Sequence, residues 1–288
     1  MLVLALAICG AVCIVLIVLF CLYILAIRPE PHRGEVMDFV RYRYAHRGLY
    51  GDGVPENSLA AFEAACRAGY GIELDVQLSR DGVPVVFHDA TLDRVCGISA
   101  RVRDLDVAEL TRTTLSGCPG HTIPTLADVL ELVDGQVPLL VEFKGTRDAV
   151  DVCKAAIPLF DEYQGAWCME SFSPYAVRWF RKNRPDILRG QLSDHMWADR
   201  HYRNLGTFFI ESLLTNFLTR PDFLAYNFAH QRYFPFRLFR GVWRAPTFAW
   251  TVRSEEDAAA CRKNFESIIF EHYIPAAGPI VNFSDPDE

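Results

Sequence analysis

From Tyr44 onward the chain alternates short apolar runs with helix-length stretches, and the early runs deliver charged residues within them or at their ends. Runs of this length read as buried strands, and strands that alternate with helices imply a parallel sheet covered by helices. The patterning predicts strands over 73–78, 84–88, 139–143, 166–171, 187–192, 223–227, 248–252 and 267–271, following a first one that ends at His46. Helices are expected over 57–67, with Asn57 as N-cap, and over 126–133, 147–163, 174–182 and 255–264. The expected fold is a (β/α)8 TIM-type barrel of the usual ~250 residues. A small insertion, about 92–121, follows its third strand. The strands number one more than such a barrel needs. Either one is surplus or Asp81-Gly82, a hairpin-type pair, folds the 84–88 run back on its predecessor.

One segment precedes this pattern. Leu2 to Ile27 contains no charged side chain. As a helix it spans roughly 39 Å, enough to cross a hydrocarbon core of ~30 Å. A secretory signal would carry a basic n-region and a shorter apolar core, and this chain has no Lys or Arg before Arg28. The reading is therefore a single-pass transmembrane anchor over 1–27, a juxtamembrane linker over 28–40 and a barrel domain over 41–288. Arg28, Arg33, Arg41 and Arg43 follow the span, which by the positive-inside bias puts the barrel domain in the cytoplasm. The nine cysteines show no metal-ligand spacing and suit a reducing compartment.

The formal net charge of −7 argues against general nucleic-acid binding. The local chemistry is more specific. Glu73 and Asp75 stand at i and i+2, on one face of one strand, and Glu142 comes from another. Carboxylates that close raise one another's pKa unless a cation lies between them, and an all-oxygen set suits Mg2+ or Ca2+. Alone, the pair would read as partners of Arg or Lys in the barrel mouth. His46 and His88 each close an apolar run; taken singly such histidines are most often structural, but two beside a carboxylate trio fit general acid and base chemistry at phosphorus. Arg47 can present a fork to phosphate oxygens and Lys144 a point charge.

His46-Arg47-Gly48, Pro55-Glu56-Asn57-Ser58, Glu73-Leu74-Asp75-Val76, Asp81-Gly82, Val86-Phe87-His88-Asp89 and Glu142-Phe143-Lys144 resemble, in order and spacing, the glycerophosphodiester phosphodiesterase family. Ser171-Phe172 and Trp250-Thr251-Val252 look like that family's later motifs. The resemblance implies His46 and His88 as the acid/base pair and Glu73, Asp75 and Glu142 as metal ligands. It also implies Arg47 and Lys144 on the phosphate, and Trp250 lining the substrate. In such enzymes the glycerol hydroxyl beside the phosphate attacks phosphorus, and the cyclic phosphate is then hydrolysed. Two departures stand near the expected substrate rim: Arg253 where the family usually has Asn, and Phe270-Glu271-His272 where it usually has an Asp-containing motif.

The implied activity is hydrolysis of a glycerophosphodiester to glycerol 3-phosphate and an alcohol. An alternative is lysophospholipase D-type cleavage of a lysophospholipid at the same site, and a remote one is an inactive lipid-binding domain. Phe208, Phe209, Phe234 and Phe236 mixed with Arg232, Arg237 and Arg240 suit a lipid bilayer interface, or else pack on the barrel's outer helices.

Overall fold

The computed structural model describes residues 1–31, 34–115 and 117–281, so Arg33 of the basic set lies outside the described residues. Among the described residues nine strands form: β1 (Tyr44–Ala45), β2 (Gly71–Leu78), β3 (Pro84–Val86), β4 (Leu139–Phe143), β5 (Trp167–Ser171), β6 (Arg189–Ser193), β7 (Phe223–Asn227), β8 (Thr247–Val252) and β9 (Ser267–Phe270). All but β3 run parallel, and β1 pairs with both β2 and β9, which closes an eight-stranded barrel. β3 is the surplus strand. It folds back antiparallel on β2 through the Asp81-Gly82 turn, with Val76 opposite Val86.

The helices are α1 (Leu2–Ala26), α2 (Val36–Val40), α3 (Leu59–Ala68), α4 (Asp93–Cys96), α5 (Val107–Leu110), α6 (Leu126–Val133), α7 (Ala149–Glu162), α8 (Pro174–Asn183), α9 (Leu205–Glu211), α10 (Asn216–Thr219), α11 (Phe234–Trp243) and α12 (Glu255–Cys261). The expected cap of α3 shifts by one residue. Ser58 is the N-cap and accepts from the Ala61 N–H at 3.2 Å, while Asn57 adopts a positive φ of 53° and turns its side chain into the barrel.

Strand period sorts the core. Ile72, Leu74 and Val76 of β2, with Leu139, Val141 and Phe143 of β4, face outward against the helices. The alternate positions fill the lumen: Tyr44, Leu140, Cys168, Phe223 and Phe248 form its lower layer. α2 plugs the base beneath them with Val36, Phe39 and Val40, so the expected juxtamembrane stretch carries part of the core. Higher in the lumen the same phase places Glu73, Asp75, Glu142 and Glu170, all buried. Residues between β3 and α6 build a satellite cluster of Phe87, Leu92, Val102, Leu110 and Ile123, which is the expected insertion.

Among the described residues α1 is the one helix long and apolar enough to cross a membrane, with none of its residues buried.

Candidate active site

The strand ends converge on a single cluster. In register, Asp75 lies opposite Glu142, and Glu142 opposite Glu170. One carboxylate oxygen from each of Glu73, Asp75 and Glu142 lies within 4.8 Å of the others. Lys144 bridges two of them, with Nζ 2.8 Å from Asp75 Oδ1 and 2.6 Å from Glu142 Oε2. Arg47 approaches Asp75 Oδ2 at 3.5 Å through Nε, and its Nη1 donates to Glu56 Oε1 at 2.7 Å. Asn57 Nδ2 donates to the same Asp75 oxygen at 2.7 Å.

The electrostatics divide the trio. Burial opposes the charge on Asp75, but Lys144, His88 and Arg47 outweigh it and hold the carboxyl well below its ordinary range. Glu73 is pushed far up, first by burial and then by Asp75, Glu170 and Glu142. Glu142 is raised by burial against the pull of Lys144. A divalent charge among these carboxylates would oppose both the burial and the mutual repulsion that raise Glu73 and Glu142. The donor set is all oxygen and fits a hard divalent cation.

Arg47 stands in the left-handed region at φ 57°, and its backbone N–H donates to Glu73 Oε2 at 2.9 Å. Gly48 follows at φ 79°, where an added Cβ would meet the Ala61 backbone and Cβ at 2.8 Å. The turn thus needs glycine both for its conformation and for the close approach of α3.

The two histidines are held alike. His46 Nδ1 makes a short bond to Glu271 Oε2, and its Nε2 lies 3.9 Å from Glu73 Oε2. His88 Nδ1 pairs with Asp89 Oδ1 at 2.6 Å. A carboxylate on Nδ1 fixes the tautomer and leaves Nε2 as the working nitrogen. Burial lowers the pKa of both rings, partly offset by Glu271 for His46 and by Asp75 for His88. Trp250 lies within β8 with its ring edge-on to Phe172, the centroids 5.7 Å apart.

The structure therefore brings together His46, Arg47, Glu73, Asp75, His88, Glu142 and Lys144, with Trp250 on the same rim. It also adds residues the sequence reading did not assign. Glu271 is held by His46, by Tyr50 Oη at 2.8 Å and by Arg253 at 2.6 Å, so the two departures from the family pattern are partners of each other. Arg94, from the insertion, clamps Glu56 at 2.6 Å and Asp89 at 2.6 Å, tying the Arg47 and His88 supports together. Glu170 joins the buried acidic layer. Its phase was readable, since it stands two residues after Cys168 on the lumen face; Arg94 and the Arg253–Glu271 pair left no local signal.

A closed (β/α)8 barrel with paired histidines, clustered carboxylates and two cationic side chains at the C-terminal ends of its strands defines the class of barrel proteins with an acid–histidine mouth. Within that class the chain belongs to the glycerophosphoryl diester phosphodiesterase family, whose sequence model matches residues 46–272. It is 35% identical over 159 residues to the glycerophosphodiester phosphodiesterase of Caldanaerobacter subterraneus subsp. tengcongensis, covering 51% of this chain and 65% of that protein. With human glycerophosphodiester phosphodiesterase 1 it shares 29% over 167 residues, 54% of this chain and 50% of the relative. The chain thus spans between half and two-thirds of the length of these relatives. The crystal structure of the Thermotoga maritima glycerophosphodiester phosphodiesterase superposes with a TM-score of 0.61 at 27% identity, covering 80% of this chain and 93% of that one. An Oleispira antarctica phosphodiesterase, solved in complex with the product sn-glycerol-3-phosphate, gives 0.66 at 22% identity, covering 81% of this chain and 94% of that one; at that identity it speaks for the fold.

Proposed function

We propose that this chain is a membrane-anchored, metal-dependent hydrolase that cleaves glycerophosphodiesters to glycerol 3-phosphate and an alcohol. The observation that carries the reading is the matched pair of histidines, each tied through Nδ1 to a carboxylate and each within electrostatic reach of Asp75. Family membership and the relatives' names support the substrate class.

In this reading Lys144 and Arg47 neutralise the phosphate as it displaces their carboxylate partners. One histidine takes the proton of the glycerol hydroxyl as its oxygen bonds to phosphorus. The other, entering as the imidazolium, gives its Nε2 proton to the departing alkoxide as the old P–O bond breaks. Water then opens the cyclic phosphate with the proton roles reversed. Glu271 on His46 and Asp89 on His88 stabilise the imidazolium form of each ring. Glu73, Asp75 and Glu142 would hold the Mg2+ or Ca2+ ion, which supplies charge neutralisation on the phosphoryl oxygens. Trp250 and Phe172 line the mouth against the glycerol or the leaving group.

Helix α1 serves as the anchor, and the arginines after it favour a cytoplasmic domain. The lysophospholipid alternative is the less favoured, since the relatives are named for glycerophosphodiesters. The test is the full chain in detergent with glycerophosphocholine and Mg2+, Ca2+ or EDTA, beside His46→Ala. Metal-dependent release of glycerol 3-phosphate, lost in the variant, is expected; release that survives either EDTA or the substitution sinks the mechanism.

A further inference from the structure

The end of α1 is built into the barrel wall, and the order of its contacts gives it a direction. Tyr23 Oη donates to the Ser212 carbonyl at 2.8 Å, Asn216 Nδ2 to the Ile27 carbonyl at 3.1 Å, and Arg220 Nη1 to the Arg28 carbonyl at 3.1 Å. The Glu30 N–H then donates to the Pro221 carbonyl at 2.9 Å, and the Glu30 carboxylate meets Arg189 at 2.8 Å. Residues 212 to 221 descend from the rim to the base. Their upper end lies at the end of β6, where Ser193 Oγ donates to the Ile210 carbonyl at 3.0 Å. Their lower end leads into β7, with the Asp222 N–H on the Arg189 carbonyl at the start of β6. The chain from Tyr23 to Glu30 runs down beside them, so α1 enters the barrel from the rim side.

Everything before Tyr23 therefore leaves the body at the level where the strands end. Leu2 to Leu22 is an exposed apolar stem; as helix it is ~31 Å long, about one hydrocarbon thickness. Beside its exit the rim is unusually apolar. Leu205, Phe208 and Phe209 share one face of α9, at i, i+3 and i+4, and are exposed, as are Tyr202 and Phe234. Arg200, Arg203 and Arg232 stand among them and are exposed. The base carries exposed ion pairs, Asp38 with Arg41 and Arg184 with Asp161 and Asp186, beside the exposed apolar side chains Val242 and Ile280. Aromatic side chains with interspersed arginines are the composition that settles at phospholipid headgroups.

We propose that the rim above β6 and β7 rests in the headgroup layer of the bilayer that α1 spans, so that the barrel mouth opens toward the membrane surface. The occupant of the exposed apolar face is that phospholipid surface, because the apolar stem emerges next to it. The inference rests on the anchor reading given above.

The experiment places a photoreactive benzophenone amino acid singly at Ile14, Phe209, Phe234 or Asp38 of the full chain. Each protein is reconstituted in vesicles of phosphatidylcholine and phosphatidylglycerol, irradiated and weighed by mass spectrometry. A mass gain of one phospholipid is expected at 14, 209 and 234 and none at 38. Adducts at 14 with none at either 209 or 234, or with equal yield at 38, overturn the docked orientation while leaving the anchor intact. No adduct at 14 overturns the anchor itself, and the docking with it. Two rim positions on separate elements guard against one substitution disturbing its helix.

Discussion

Replacing Glu271 with Gln isolates the contribution of one carboxylate to His46. The amide keeps an oxygen for the Nδ1–H, so ring orientation and tautomer survive, but the negative charge is gone. Its NH2 group then faces Arg253, whose guanidinium is free to swing away because its side chain is 58% exposed. What is lost is the charge assistance of the His46 and Tyr50 hydrogen bonds in a site where Glu271 itself is buried. A hydrogen bond to a charged partner contributes ~1.5–3 kcal/mol, which if felt only when His46 carries the proton corresponds to about 10- to 150-fold in kcat. The pH profile supplies the sign. Burial lowers the His46 pKa and Glu271 raises it, so removing that carboxylate moves the pKa further down. With His46 taken as the base of the pair, its neutral ring is the working form, and the acid limb of kcat/KM shifts to lower pH as the plateau falls. Assay is by glycerol 3-phosphate release from pH 4 to 9. A plateau within about twofold of the parent would refute the charge argument, and a limb moving to higher pH would refute the assignment of that limb to His46.

Three further outcomes follow from the same geometry. Gly48→Ala, at φ 79° against Ala61, should cost about 2 kcal/mol or more in denaturant unfolding; an unchanged midpoint would show that the turn relaxes freely. Asp75→Asn removes the charge that Lys144 and Arg47 share, and a buried pair broken on one side costs ~3–5 kcal/mol. Thermal melting measures this, and a variant as stable as the parent would mean that Glu142 and Glu56 suffice as partners. Saturating Mg2+ or Ca2+ at a hundredfold excess over its Kd should stabilise the parent by ~2.7 kcal/mol and Glu142→Gln by less; equal shifts in the two proteins would place the ion elsewhere.

Much of the site was legible because strand phase is a local property. A period of two puts Glu73 and Asp75 on one face and Leu74 on the other whatever the rest of the chain does, and the same rule applies to Leu140 and Glu142. The motif histidines mark strand ends for the same reason, and the Asp-Gly pair announced the hairpin that makes β3 surplus. The Asn57 cap expectation failed locally: two adjacent residues both suit an N-cap, and the pull of Asp75 on the Asn57 amide decided between them.

By itself, then, the sequence determined the alternation of elements, the lumen-facing carboxylates, the rim histidines and an apolar stem long enough to span a bilayer. Only the tertiary structure decided which groups complete them. His46 and Glu271 are 225 residues apart, and their bond exists because β1 closes the barrel against β9. Arg94 reaches Glu56 across 38 residues because the insertion folds over the mouth. The exit of α1 beside the rim likewise depends on contacts 189 residues distant. Periodicity is written in neighbouring residues, whereas pairing across a closed sheet depends on closure, which no short stretch of sequence encodes.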